Sequence, residues 1–306
     1  MRAVSDELPL VSILTPSFEQ GVFLPDCLRS VAAQSYPRIE HVVVDGGSTD
    51  GTLAILEAAD GAVRWVSEPD RGQADAVNKA FSLSAGTIVG WINSDDGLFA
   101  ADTVARVVAA FAEHPEADVL YGDAALVDES GLIVRHHRSR WPRGTLPLVS
   151  PLAQPAVFIH RGAVSAGEPL LRTDLHRRLD YELWIRLRSR GARFVHLPAV
   201  LAVDRDHPAR KVRTTDELFV QETERLVREY GPVFRHRRLR RVGGLARRLQ
   251  GVGPVLSWKR QTPAFPWHVD AVWRRIVRQV ATLDPVQLNE EQSRLGRGRT
   301  SGRGAA

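Results

Sequence analysis

The feature that most constrains this chain is an alternation in its first hundred residues. Apolar runs of strand length, LVSIL at 10–14, IEHVVVD at 39–45, AVRWVS at 62–67 and TIVGWIN at 87–93, are separated by segments of helical spacing at 22–33, 50–59 and 73–84. Ser48 and Asp50 are helix-capping residue types placed just ahead of GTLAILEAA, and the 73–84 segment is rich in good helix formers. Strand, helix, strand repeated three times dictates a parallel sheet covered on both faces. The expected class is therefore α/β, Rossmann-like and doubly wound, with ligands bound outside the C-terminal strand ends.

The residues just past each run fit that rule. They are Thr15-Pro16-Ser17-Phe18-Glu19, Asp45-Gly46-Gly47-Ser48, Glu68-Pro69-Asp70-Arg71-Gly72-Gln73 and Asn93-Ser94-Asp95-Asp96. Acids, hydroxyls and glycines gather at four consecutive strand ends, which points to one shared site. After residue 100 the alternation loosens into a mixed pattern. A helix at 101–113 precedes strand-like 117–128 and 132–137, then a Pro-rich stretch, PAVFIH at 155–160, a helix over 179–191, an apolar segment at 192–207 and a helix at 214–230. The spacing predicts one domain over 1–230, with a basic helical extension at 231–290 and a disordered tail at 291–306.

Charge divides the chain unevenly. Residues 1–134 hold 7 Lys and Arg against 21 Asp and Glu, whereas residues 135–306 hold 34 against 15. An acidic N-terminal half is unsuited to a nucleic-acid groove, and no nucleic acid is expected as a partner. The C-terminal RHRRLRRVGGLARRLQ, followed by Trp258, Trp267 and Trp273, suits either a surface helix packed on the domain or peripheral contact with an anionic membrane. A single cysteine, Cys27, in an apolar-periodic stretch excludes a disulfide framework and reads as core. The N-terminus, MRAVSDELPLVSIL, lacks a signal-peptide pattern, so a soluble cytoplasmic protein is expected, with the membrane's inner face as the place of any peripheral contact.

Four sets of residues suggest chemistry. Asp95 and Asp96 follow an apolar run directly; adjacent carboxylates there repel unless a cation or donors compensate, so they read either as a metal–diphosphate site or as a turn into the next helix. Asp45 beside two glycines can accept hydrogen bonds from ribose or base. Arg71 suits a phosphate or a rim carboxylate, or simply the surface. Asp180 sits one position off the Leu179, Leu183, Leu187 stripe, as a general base or as a helix N-terminal acid. GxGxxG is absent, which removes support for a dinucleotide fold, and TPSFEQG has no basic residue for a nucleotidyltransferase phosphate loop.

The blocks VSILTPSFEQGVFLPDCLRSVAAQSYPRIEHVVVDGGSTDGT, WVSEPDRGQADAVNKAF, GTIVGWINSDDG, ADVLYGDAALVD, QPAVFIHR and LDYELWIRLRSRGARFVHLP together resemble family 2 glycosyltransferases of the GT-A fold, in the bacterial subgroup with an Asn-Ser-Asp-Asp metal motif. The resemblance runs over about residues 10–210. It implies a mixed doubly wound sheet whose nucleotide-sugar half covers 1–134 and whose acceptor half covers 135–230. It implies an inverting, metal-dependent hexosyl transfer from a nucleotide-diphosphate sugar to a saccharide or lipid-linked acceptor, with Mg²⁺ or Mn²⁺ as cofactor, in surface polysaccharide or glycolipid synthesis. Thr15, Pro16 and Ser17 would line the nucleotide pocket and Asp45 would contact the nucleoside. Asp70, Arg71, Gly72 and Gln73 would close over the donor, with Asn78 supporting them. Asp95 and Asp96 would bind the sugar nucleotide and, with His207 near the diphosphate, its metal, and Asp180 would be the general base. The sequence departs from the family pattern in having Asn93 for the first acid of the metal motif, Gly46 for the second acid of Asp-Asp-Gly-Ser, and Leu179 for the Glu before Asp180. A non-catalytic nucleotide-sugar or carbohydrate-binding module of the same fold is the alternative reading.

Overall fold

The computed structural model describes residues 8–59, 61–141, 150–208, 210 and 217–230. A nine-stranded mixed sheet forms the middle layer. In chain order its strands are β1 (Val11–Ser17), β2 (Ile39–Asp45), β3 (Arg64–Ser67), β4 (Ile88–Trp91), β5 (Gly97–Leu98), β6 (Val119–Val127), β7 (Ile133–His137), β8 (Val157–His160) and β9 (Phe194–Arg205). Across the sheet the order is β3-β2-β1-β4-β8-β6-β9-β5, with β7 hydrogen-bonded to β6. The β3-β2-β1-β4 half is parallel, as the alternation requires. β8 then pairs antiparallel with both β4 and β6, which makes the sheet mixed.

The helices are α1 (Leu24–Ala32), α2 (Thr52–Ala58), α3 (Gln73–Leu83), α4 (Thr103–Glu113), α5 (Leu179–Ser189) and α6 (Glu217–Tyr230). Side-chain alternation along β1 explains the layers. Leu14 joins a core with Val77 and Ala80 of α3 and Leu183 and Trp184 of α5, whereas Val11 and Ile13 join one with Cys27 of α1 and Val104 and Val107 of α4. Cys27 is fully buried, and burial pushes its thiol up to about 12, so it packs as a small apolar group.

Two strand boundaries differ from the periodicity. β1 continues through Thr15-Pro16-Ser17, because pairing with β2 runs to Ser17↔Asp45 while pairing with β4 stops at Leu14. Pro16 thus lies where the strand has one neighbour, a position that tolerates its missing N–H. β8 enters the sheet antiparallel, so its start, preceded by a 3-10 turn at Gln154–Ala156, reaches the same rim as the C-terminal ends of the parallel strands. The expected extension at 231–290, the tail at 291–306, and Pro142 and Pro147 of the Pro-rich stretch lie outside the described residues. Among the described residues no helix is long and apolar enough to cross a membrane.

Candidate active site

The rim begins where β1 and β2 end. Thr15 is fully buried, and its hydroxyl lies 2.9 Å from His41 Nε2, inside the sheet layer. Burial holds His41 down at about 4, so this contact is between neutral groups. Thr15 therefore does not line an open pocket as the resemblance implies. Two residues on, the Ser17 hydroxyl is buried without a hydrogen-bond partner among the described residues, a donor left for something beyond the strand end. Phe18, next in the chain, is 61% exposed.

Asp45 is enclosed completely. Gly47 N, Ser48 N and Ser67 Oγ all donate to its Oδ2, at 3.0, 2.9 and 2.7 Å, and Ser48 Oγ donates to Oδ1 at 2.5 Å. Held by its own loop and by Ser67 at the end of β3, the fully buried carboxylate shapes the Gly46-Gly47-Ser48 turn, a positioning role in place of the direct contact with the ligand expected from the sequence. The group that reaches the loop's open side is Asp70. A Cβ at Gly46 would meet Asp70 Oδ2 at 2.9 Å and the Phe18 ring at 3.1 Å. Gly46 is thus glycine because the Asp70 carboxylate and the Phe18 ring fill its side-chain space.

The 70–73 segment is closed by short-range bonds. Asp70 Oδ1 accepts from Gly72 N at 2.8 Å, and Gly72 adopts φ 109°, a conformation open to glycine. Arg71 reaches back to Asp75 at 3.0 Å with 78% of its side chain exposed, so it stands at the surface. Gln73 opens α3 and donates from Nε2 to Asn93 Oδ1 at 2.8 Å. Asn78 does not support this loop. Its amide exchanges two 2.8 Å bonds with the backbone of Leu171, fastening α3 to the stretch that leads to Asp180.

Asn93 is the hub of the rim. Its Oδ1 accepts from Gln73 and from Trp91 Nε1 at 3.0 Å, while its Nδ2 donates to Asp96 Oδ2 and Gln154 Oε1, both at 3.1 Å. Both ends of the amide are used, which a carboxylate at this position could not do. Gln154 in turn donates to Trp91 O. Sequence reasoning passed over Gln154; the signal was its place just ahead of the VFIH strand run, which an antiparallel strand brings to the rim.

Asp95 and Asp96 face different ways. Asp96 Oδ1 accepts from Arg205 N at 3.1 Å and its Oδ2 from Asn93. Burial, with Asp95 and Asp204 close by, pushes its carboxyl well above the usual carboxylate range, against the pull of Arg210 and the Arg205 N–H. Asp95 Oδ2 lies 2.9 Å from His207 Nε2, and both side chains are nearly buried. Phe23 packs on His207, ring centroids 4.7 Å apart. Arg205, also passed over in the sequence, holds the turn in place: its Nε donates to Asp95 O at 3.1 Å and its NH2 to Asp26 Oδ2 at 2.9 Å.

The donor set fits a hard divalent cation. The buried Asp96 carboxyl, crowded by Asp95 and Asp204, is relieved by positive charge, and the Asp95 carboxylate beside the His207 imidazole offers two ligands. Among the described residues no group of three or more His, Cys, Asp or Glu is placed to hold a metal ion, so a cation here would draw its remaining positions from ligand oxygens and water. That is the habit of Mg²⁺ and Mn²⁺ in phosphate chemistry.

Asp180 stands apart from this network, on the second residue of α5. It is half-buried, and its carboxylate accepts no hydrogen bond among the described residues. Buried Arg178 and Tyr181 are its charged and polar neighbours. Leu179 is in the core at 5% exposure, so the position before Asp180 serves packing here.

The sequence pattern described as Glycosyl transferase family 2 matches residues 12–166. A PGL/p-HBAD biosynthesis glycosyltransferase of Mycobacterium bovis is 34% identical over 202 residues, covering 62% of this chain and 75% of that protein. Among solved structures, S. aureus TarS 1-349 in complex with UDP is similar with a TM-score of 0.54 and 20% identity, over 71% of this chain and 64% of that one. Mannosyltransferase PcManGT from Pyrobaculum calidifontis, in complex with GDP-Man and Mn2+, is similar with a TM-score of 0.57 and 18% identity, over 92% and 88% of the two chains. These structural likenesses bear on the fold, which is that of GT-A glycosyltransferases.

Proposed function

Because the chain belongs to glycosyl transferase family 2, a family of enzymes, we propose that it transfers a hexosyl group from a nucleotide-diphosphate sugar to an acceptor hydroxyl with inversion at the anomeric carbon. The observation that carries this reading is the Asp95–His207 pair at 2.9 Å, set beside Asp96 and braced by Asn93 and Arg205. Asp95 and His207 would hold Mg²⁺ or Mn²⁺, with Asp96 adding negative charge behind them. When bound, the cation supplies Lewis acidity that neutralises charge on the departing diphosphate.

The nucleoside side of the site is built by this chain's own groups. Ser17 Oγ is a buried donor without a partner among the described residues, Asp70 faces the open side of the Gly46 turn, and the exposed Phe18 ring offers an apolar face to a base. Pro16, Arg71, Gly72 and Gln73 complete the donor rim, Thr15 and Asp45 support it from beneath, and Asn78 ties it to the acceptor half. Asp180, a carboxylate with no competing hydrogen bond among the described residues, takes the proton from the acceptor hydroxyl. The alkoxide forms the new C–O bond as the bond from the anomeric carbon to the diphosphate breaks on the opposite face, which inverts configuration.

The acceptor is a saccharide or a lipid-linked saccharide in bacterial glycolipid or surface polysaccharide synthesis, a reading supported by the likeness to the PGL/p-HBAD biosynthesis glycosyltransferase of M. bovis. Residues 1–230 would form the catalytic domain, and the basic 231–290 segment would either pack on it as a surface helix or touch the inner face of an anionic membrane. The test screens UDP-, GDP- and dTDP-sugars by thermal shift with Mn²⁺, then follows the stabilising donor in hydrolysis and in transfer to octyl glycosides. Stabilisation that requires Mn²⁺ and inverted product support the reading; retained configuration or metal-independent transfer at full rate sinks it.

A further inference from the structure

The N-terminus of α5, which carries Asp180, is held by a carboxylate from a distant helix. Glu222 of α6 is 4% exposed, and it accepts three consecutive backbone N–H groups: His176 N at 2.7 Å on Oε1, and Arg177 N at 2.9 Å and Arg178 N at 3.0 Å on Oε2. A chain leading into a helix leaves N–H groups without intrahelical partners, and an anion there is favoured by the helix dipole. The unusual point is that the anion comes from 44 to 46 residues downstream rather than from a local Ser, Asp or Glu. Local capping is absent at Arg178, which makes no side-chain cap bond.

Other contacts fasten α6 to the same ground. The Arg178 guanidinium lies 4.7 Å from the Phe219 ring of α6 and 3.9 Å from the Tyr181 ring, packed directly beside Asp180 in sequence. Arg172 donates to both oxygens of Glu229 at 2.8 Å, and Tyr230 OH donates to the fully buried Glu182 at 2.7 Å. Along its length α6 therefore engages residues 172, 176–178 and 182, on both sides of Asp180. None of these contacts touches the donor rim around Asn93.

From this geometry we propose that Glu222 is a positioning residue for transfer, fixing the backbone that aims Asp180 at the acceptor hydroxyl. The proposal rests on the reading of Asp180 as the general base. It assigns α6 a part in the reaction although α6 bears no group of the donor site. An error of about 1 Å in the placement of a reacting group costs up to about 100-fold in rate, so loss of the three backbone anchors at residues 176–178, just ahead of the base, falls on turnover.

Glu222→Ala and the near-isosteric Glu222→Gln, which keeps one acceptor oxygen, are compared with Asp180→Asn and with the Asp180→Asn/Glu222→Ala double variant. Transfer to octyl glycosides and binding of UDP and GDP with Mn²⁺ are measured on folded protein. Glu222→Ala is expected to lower transfer kcat by about 10- to 100-fold with nucleotide affinity and donor KM unchanged. Glu222→Gln recovers much of that loss, and the double variant is no slower than Asp180→Asn alone. Wild-type kcat in folded Glu222→Ala, joint loss of turnover and nucleotide binding, or a further loss in the double variant overturns the proposal. Full transfer by Asp180→Asn removes the base reading itself, an outcome distinct from any failure of Glu222. If Glu222→Ala does not fold, Glu222→Gln alone decides, since its kcat must still fall without a change in nucleotide affinity.

Discussion

Asn93 donates to Asp96 Oδ2 at 3.1 Å, so its side-chain amide meets part of the hydrogen-bond demand of the acid three positions on. The same amide donates to Gln154 and accepts from Gln73 and Trp91. Asn93→Asp would turn two donated bonds into contacts between acceptors and bring a third carboxylate to Asp95 and Asp96. The expected result is a loss of about 1–3 kcal/mol without metal, as buried acceptors lose their donors. Mn²⁺ should restore more of the melting temperature in Asn93→Asp than in the wild type. Thermal melts in EDTA and in Mn²⁺ make the comparison, and equal recovery in both proteins would contradict it.

The Asp95–His207 pair predicts a metal-linked binding defect. His207→Ala leaves Asp95 and the turn held by Arg205, so the fold should persist while one neutral ligand is lost. GDP and UDP affinity should fall in Mn²⁺ and stay unchanged in EDTA, and turnover should fall by about 100-fold, the scale of losing one group that stabilises developing charge. Asp95→Ala should behave alike. Asp96→Ala should remove most turnover while leaving the protein folded, and wild-type transfer by that variant would end the assignment of this motif to the metal. Isothermal titration with and without chelator separates these outcomes.

Much of this was legible in the sequence, for identifiable reasons. Period and length gave β1 to β4 and α1 to α5, since buried parallel strands and amphipathic helices leave strong patterns. The rim rule then located Ser17, Asp70, Gln73, Asn93 and Asp95 at one edge. What the pattern could not carry was the direction of a side chain. Thr15 turns inward to His41, Asp45 is held by its own loop and by Ser67 of β3, and Asn78 binds Leu171 instead of the donor segment. Contacts across long sequence separations were equally silent: Gln154, Arg205 and Glu222 lie 61, 109 and 44 residues from their partners Asn93, Asp96 and Arg178. Each is an ordinary polar residue until the sheet order brings it to the site.

Gly46 offers a steric test. A methyl group there would approach Asp70 Oδ2 to 2.9 Å and the Phe18 ring to 3.1 Å, so one of the two must move. Asp70 is tied to Gly72 N, which makes a shift of its carboxylate a shift of the loop ahead of α3. Gly46→Ala should therefore raise the KM for the sugar nucleotide with little change in melting temperature, because the displaced groups lie at the rim and not in the core. Steady-state kinetics with the donor found by thermal shift checks this, and an unchanged KM would show that Asp70 and Phe18 take no part in donor binding.

Acid stability provides a prediction away from the metal ligands. Asp123 is buried, which alone would raise its carboxyl, but His136 Nε2 at 3.1 Å and His196 Nε2 at 3.3 Å, with Ser139 N donating at 3.0 Å, hold it down at about 2. A folded value below the ordinary 3.8 means that the unfolded chain takes up the proton first as pH falls. The stabilisation is complete above about pH 4 and is lost as pH drops through about 2, amounting to roughly 2 kcal/mol over that window. Asp123→Asn should flatten the stability profile between about pH 4 and 2 while lowering stability at neutral pH, where the carboxylate's bonds are strongest. Urea melts at closely spaced pH values measure both effects. An Asn variant with the same acid slope as the wild type would place the lost protonation elsewhere and remove Asp123 from the acid response.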